Sequence, residues 1–268
     1  MISISSNELI SLIAAFVWPL TRILGFIAIA PPFGNNGVPV QVKIALGVFL
    51  ALIVAPAIDP IRDVDMLSIT GIMVVLQQFI IGLAMGFMVR IIFAGVEMAG
   101  EVIGLTMGLG FATFFDPQTR GRSSAISQFL VIITTLLFLA MNIHLVLFEA
   151  VITSFKTIPI STSLTMGFSV LKLAIWGEEI FKIGLLISLP IVAALLITNI
   201  ALGILTRAAP QLNIFGIGFP ITIGVGFLML SVILPYLLPP IESIFLHLIE
   251  SVSSLGDGAS LKALRPIK

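Results

Sequence analysis

Few side chains in this sequence could do chemistry, and they are widely scattered. Glu97 and Glu101 lie four residues apart, so on a helix they share one face. Paired carboxylates at that spacing could bind a metal ion or pass a proton. Their commoner use is solvation or pairing with Arg or Lys, and no catalytic role is expected of them. Glu178 and Glu179 are adjacent, so a helix turns them to different faces and a shared metal is not expected. His144 and His247 are far apart in sequence, and His144 beside Asn142 in an apolar run suits a hydrogen-bonded packing residue. No H-E-x-x-H, no G-x-S-x-G and no Gly-Lys phosphate loop occurs, and there is no cysteine. The expectation is therefore a chain that is not an enzyme, has no cofactor or metal, and does not itself drive transport with ATP. Arg22 stands apart, because it interrupts an apolar run. A charge in such a place is costly and usually faces a partner or a cavity. Arg22 is expected to meet a subunit contact or an aqueous space, whereas Arg90, near the end of its run, can snorkel to an interface.

Those side chains sit in a chain of 268 residues that is 59% hydrophobic and 10% charged, with a mean hydropathy of +1.22. Ordinary soluble domains carry roughly 25% charged residues. A chain this poor in charge cannot cover a soluble globule with polar groups, so lipid or a large assembly must be its solvent. Net charge is zero, which argues against a nucleic-acid partner.

A hydrocarbon layer roughly 30 Å thick needs about 20 apolar residues in helix. Apolar runs extend over 9–30, 40–58, 69–93, 126–152, 183–205 and 214–238. Six helical runs follow, because lipid tolerates only structures that satisfy their own backbone hydrogen bonds. The runs lack the alternation of a β-barrel. Breaks fall where proline and glycine demand them, at 31–37, 56–60 and 210–213. A Ser/Thr-rich loop at 159–165 separates four runs from two, and the tail from Ser251 is polar. No Lys or Arg precedes the first run, so it is read as retained rather than as a cleaved signal. Basic residues divide between the two sides of a simple six-span scheme, so no orientation follows.

Gly100, Gly104 and Gly108 recur every four residues and would form a smooth helical stripe, with Gly82 and Gly86 as a second one. Such stripes let backbones approach closely, and by themselves they imply no more than helix packing. The residues after the first stripe add something. Met107, Gly108, Leu109, Gly110, Phe111, Phe114 and Phe115 mix bulky apolar groups with pliable glycines before Asp116-Pro117 ends the segment. It is too short to cross a bilayer. Non-helical backbone at membrane depth persists where protein buries it or where it lines a cavity. The segment suits a hydrophobic plug that gates by excluding water, or a buried connector with core aromatics. Pro220, among Gly216, Gly218, Gly224 and Gly226, predicts a kinked and tightly packed helix.

Three stretches together resemble the FliR family of flagellar export-gate proteins, whose injectisome relatives form the T-type subunit. They are 104–117 (GLTMGLGFATFFDP), 142–145 (NIHL) and 199–220 (NIALGILTRAAPQLNIFGIGFP). The match in length and order covers nearly the whole chain, and the last stretch is the most specific. The resemblance implies an all-α membrane protein of bent helical hairpins. Residues 1–160 would form a FliP-like part containing a plug loop at about 104–122, and residues 161–268 a FliQ-like hairpin with a polar tail. It further implies a ring with FliP-type and FliQ-type subunits, FlhB- and FlhA-type neighbours, and unfolded exported proteins as cargo. The place would be the bacterial inner membrane, in the flagellar basal body. Met107, Gly108, Leu109, Gly110, Phe111, Phe114 and Phe115 would form the plug. Gly100, Gly104, Gly108, Gly216, Gly218 and Pro220 would serve subunit packing. The family's hairpins lie partly wrapped by protein, so the six runs need not be six spans. An equivalent injectisome subunit is the first alternative. A stand-alone small-solute transporter is the second, although the unequal halves show no evident repeat.

Overall fold

The computed structural model describes residues 6–35, 37–58, 68–111, 124–162, 170–209 and 214–253. These residues are helical, with no strand among them. In chain order the helices are α1 (Ser6–Ile29), α2 (Val40–Val54), α3 (Ile69–Thr106), α4 (Ala125–Ala140) and α5 (Ile143–Thr157). They continue with α6 (Val170–Trp176), α7 (Glu178–Ala208), α8 (Ile214–Ile233) and α9 (Leu238–Ser253). Local chemistry sets several of the ends. Ser124 caps α4 by accepting from Ser127 N at 3.1 Å. Asn142 takes the left-handed conformation (φ 56°) that starts α5, a geometry Asn tolerates better than most residues. Glu178 and Glu179 open α7 and Arg207 closes it, each complementing the helix dipole.

The runs read from sequence are present as helices, with three differences. The third run continues to Thr106, giving 38 residues, or about 57 Å at 1.5 Å per residue. Glu97 and Glu101 are therefore inside a long helix, not beyond it. The fourth run is two helices, because Met141-Asn142 breaks the hydrogen-bond ladder. The last run is followed by a further helix, α9, which carries the chain on to Ser253. Among the described residues, three helical stretches are long and apolar enough to cross a membrane, at 69–106, 173–208 and 216–237, and α4 with α5, bent by 70°, would make a fourth.

The chain forms two compact units that alternate along the sequence. One comprises 1–90, 142–175 and 246–268, and the other 91–141 and 176–245. In the first, α1 lies against the start of α3 along a backbone-to-backbone seam. A Cβ added at Gly82 would overlap the Arg22 carbonyl oxygen, one at Gly86 would stand 2.7 Å from Phe26 O, and one at Gly25 2.6 Å from Phe79 O. Phe148 of α5 closes on Phe26 and Phe33, with ring centroids 6.4 and 5.1 Å apart.

In the second unit, Gly95 faces Ile183 and Gly184 faces Met98, so α3 and α7 interlock through a glycine from each side. Phe93, Phe138 and Phe245 form an aromatic triangle with centroids 5.4 to 6.0 Å apart. Helix α7 has two unlike apolar faces. Ile183, Ile187, Ile191 and Leu195 are buried, whereas Phe181, Leu185, Leu189, Leu196, Ile200 and Ile204 are each more than half exposed. A helix apolar all round needs a nonaqueous neighbour on its outer face.

Candidate functional site

Two places gather the residues singled out from sequence, one in each unit. The first is Arg22. Its relative exposure is 0%, and each arm of its guanidinium is engaged. Nε donates to Gln78 Oε1 at 2.8 Å, Nη1 to Ser154 Oγ at 3.0 Å and Nη2 to Ile158 O at 2.8 Å. The group also lies over the Phe155 ring, 4.1 Å from its centroid. Arg22 is indeed a buried charge, but it does not face a subunit contact or an aqueous space. Its own chain surrounds it, because α3 and α5 supply enough acceptors to replace water. Those acceptors are all neutral, so the site is a cationic cross-brace between three helices. The polar partners Gln78 and Ser154 are legible in sequence only as polar residues on apolar helices, each beside another polar residue.

The second place is the root of the Met/Phe/Gly segment. Thr106 ends α3 with its hydroxyl turned back onto Val102 O and Ile103 O, at 3.0 and 2.9 Å. Met107 still donates to Ile103 O, and Gly108 N donates to Leu105 O. Gly108 then adopts φ +87°, the left-handed geometry by which glycine commonly ends helices. A single 3-10 turn follows at Leu109–Phe111. Met107 is fully buried, in a notch at Gly226 of α8, where an added Cβ would stand 2.6 Å from Met107 Cγ and Cε. Thr222 Oγ1 donates to Met107 O at 3.2 Å. Phe219 covers Gly108, its ring 2.6 Å from where a Cβ would be. Leu109 and Gly110 are half-buried. The Phe111 side chain, and Phe114 and Phe115 altogether, lie outside the described residues.

The segment returns at Ser124, where α4 is fastened to α3. Ser124 N donates to Glu101 Oε1 at 2.6 Å, Ser124 Oγ to Gly100 O at 3.2 Å and Ser127 Oγ to Glu97 O at 3.0 Å. Gly100 makes this contact possible, since an added Cβ would overlap Ser127 Cα, and a Cβ at Gly104 would stand 3.0 Å from Ser124 Oγ. Gly100, Gly104 and Gly108, expected at subunit contacts, are thus closed over by Ser127, Ser124 and Phe219 of the same chain. Glu101 binds a backbone N–H, which is neither a metal nor a proton-relay partner.

The other expected packing residues lie at the start of α8. Gly218 is buried, Gly216 and Pro220 are exposed, and the helix continues through Pro220. Close packing on α8 occurs at Gly226, whereas nothing lies within 4 Å of a Cβ at Gly224. Glu178 and Glu179 both reach Lys182, each at 2.7 Å; such surface pairs contribute little.

Residues 13–248 match the model of a family described as bacterial export proteins, family 1. The chain is 40% identical over 255 residues to the flagellar biosynthetic protein FliR of Pectobacterium carotovorum subsp. carotovorum, covering 95% of this chain and 97% of that one. It is 36% identical to FliR of Escherichia coli (strain K12), with the same coverage. It is 32% identical to FliR of Bacillus subtilis (strain 168), over 93% of this chain and 97% of that one. Helical, apolar and matched almost end to end, the chain belongs to the bacterial export proteins of family 1, the FliR family.

Proposed function

We propose that the chain is a structural and gating subunit of the flagellar type III export gate, with residues 104–122 as its barrier segment. Family membership makes it a component of the flagellar export apparatus. The finer reading concerns the gate. Its partners there are FliP-type and FliQ-type subunits in a hetero-oligomeric ring, with FlhB- and FlhA-type proteins beside it and unfolded export cargo passing through. In this reading residues 1–160 are the FliP-like part and 161–268 the FliQ-like hairpin, set in the inner membrane at the basal body.

The observation that carries it is the root at Met107-Gly108. The helix stops there inside the protein, and the chain turns away on a glycine pinned beneath Phe219. An aromatic segment whose root is held in this way could close a conduit by dewetting and still yield to a polypeptide. The exposed apolar stripe of α7 supports the assembly half, since partner helices or lipid must cover it. Arg22, whose buried charge would suit a solute pathway if it faced an aqueous space, is fully engaged by its own chain, which favours a gate subunit over a stand-alone transporter.

Deleting Gly110–Phe115 tests the barrier. Cells carrying the deletion in an assembled gate are expected to leak potassium and small solutes at rates well above the parent. A tight membrane with normal gate yield would reduce the segment to a passive connector.

A further inference from the structure

The end of α3 leaves a buried carbonyl, Met107 O, beyond the reach of its own helix. The last carbonyls of a helix lack intrahelical donors and need partners from elsewhere. The partner here is Thr222, on another helix. Its hydroxyl has one proton, shared between Phe219 O at 3.1 Å and Met107 O at 3.2 Å. Phe219, Thr222 and Gly226 are spaced by three and four residues, so they form one face of α8. That face meets Met107 and Gly108 at three points: a ring over the glycine, a hydroxyl on the carbonyl and a notch for the thioether.

We infer that Thr222 is a positioning residue for the barrier segment, and that the seating of α8 on Met107 sets whether the segment's root is docked. This rests on the gate reading above. Two contacts of the root are steric, the Phe219 ring over Gly108 and the Gly226 notch for Met107. The hydroxyl is directional, so it fixes the register of α8 against the end of α3. Rotating or sliding α8 would break this bond first, and Gly108 is the residue able to absorb the resulting backbone change. Motion in the C-terminal helices would thereby reach the barrier through one short contact.

The test uses the complete gate in its membrane, with ion leak normalised to assembled complex. Thr222→Val keeps the shape and removes the hydroxyl. It is expected to raise the leak roughly two- to tenfold, the population shift one hydrogen bond supports. Thr222→Ser restores the hydroxyl and is expected to return the leak to the parental level, which a role in packing alone would not do. The Gly110–Phe115 deletion is run alongside. If the deletion leaks while Thr222→Val stays tight, the inference is overturned and the barrier reading stands. Equal leaks from Val and Ser also overturn it. If the deletion itself stays tight, the barrier reading fails and the inference with it. Should Thr222→Val not assemble, Gly226→Ala presses on Met107 from the same face and must leak; a tight Gly226→Ala gate overturns the inference.

Discussion

A Gly82→Ala chain is expected to lose most of its yield as folded protein, while Gly203→Ala behaves as the parent. Both are single methyl additions to apolar helices. At Gly82 the methyl would overlap the Arg22 carbonyl oxygen, with Phe26 N at 2.9 Å behind it. These are backbone atoms of a helix, which cannot rotate aside as a side chain can. Overpacking typically costs about 1–3 kcal/mol, occasionally more, and Gly25 makes the reciprocal approach to Phe79 O one turn away, so the seam has no slack to share. At Gly203 nothing lies within 4 Å, and alanine in a helix interior is favoured over glycine by about 0.5–1 kcal/mol. Thermal aggregation of the detergent-extracted protein distinguishes the two. Equal melting of both variants would mean that α1 and α3 do not meet along this seam.

Replacing Arg22 with Leu is expected to be nearly as damaging. Gln78 Oε1, Ser154 Oγ and Ile158 O would each lose a donor inside a closed interior. A buried group left unsatisfied costs about 1–3 kcal/mol, offset in part because no charge is then buried. Arg22→Lys should not rescue, since a compact ammonium cannot span three acceptors that a planar fork reaches. Removing the acceptors as well, in Arg22→Leu/Gln78→Leu/Ser154→Ala, should recover stability relative to Arg22→Leu alone, a non-additivity expected of one network. Yield and melting temperature of the purified complex report all three. Parental values for Arg22→Leu would show that the brace contributes nothing.

Much of the fold was legible because continuous apolar runs in a chain 10% charged leave helix as the only economical backbone. What sequence could not supply was the partner of each contact. The glycine stripe at 100–104 reads identically whether it meets a neighbouring subunit or the chain's own α4. Ser124 and Ser127 decide the matter, through hydrogen bonds 23 to 30 residues distant in sequence. Arg22 was conspicuous as a charge, yet the acceptors that enclose it lie 56 to 136 residues away. The break at Met141-Asn142 was hidden because Asn142 and His144 are too few polar residues to end an apolar run, yet one left-handed Asn changes its direction. In the segment proposed as the barrier, Met107 was expected to seal; its side chain is buried in the Gly226 notch. Thr222 was missed because a lone Thr in an apolar helix normally bonds its own preceding turn.

The gate reading is tested most directly by where cargo passes. A photo-crosslinking side chain at Leu109, beside the root, is placed in gates holding a stalled export substrate. A second is placed at Ile197, which is 68% exposed on α7. Covalent adducts with the substrate are expected from position 109 and none from position 197, where lipid or partner subunits are captured. Absence of any substrate adduct at position 109, with cargo demonstrably stalled in the same complexes, would contradict the gate reading.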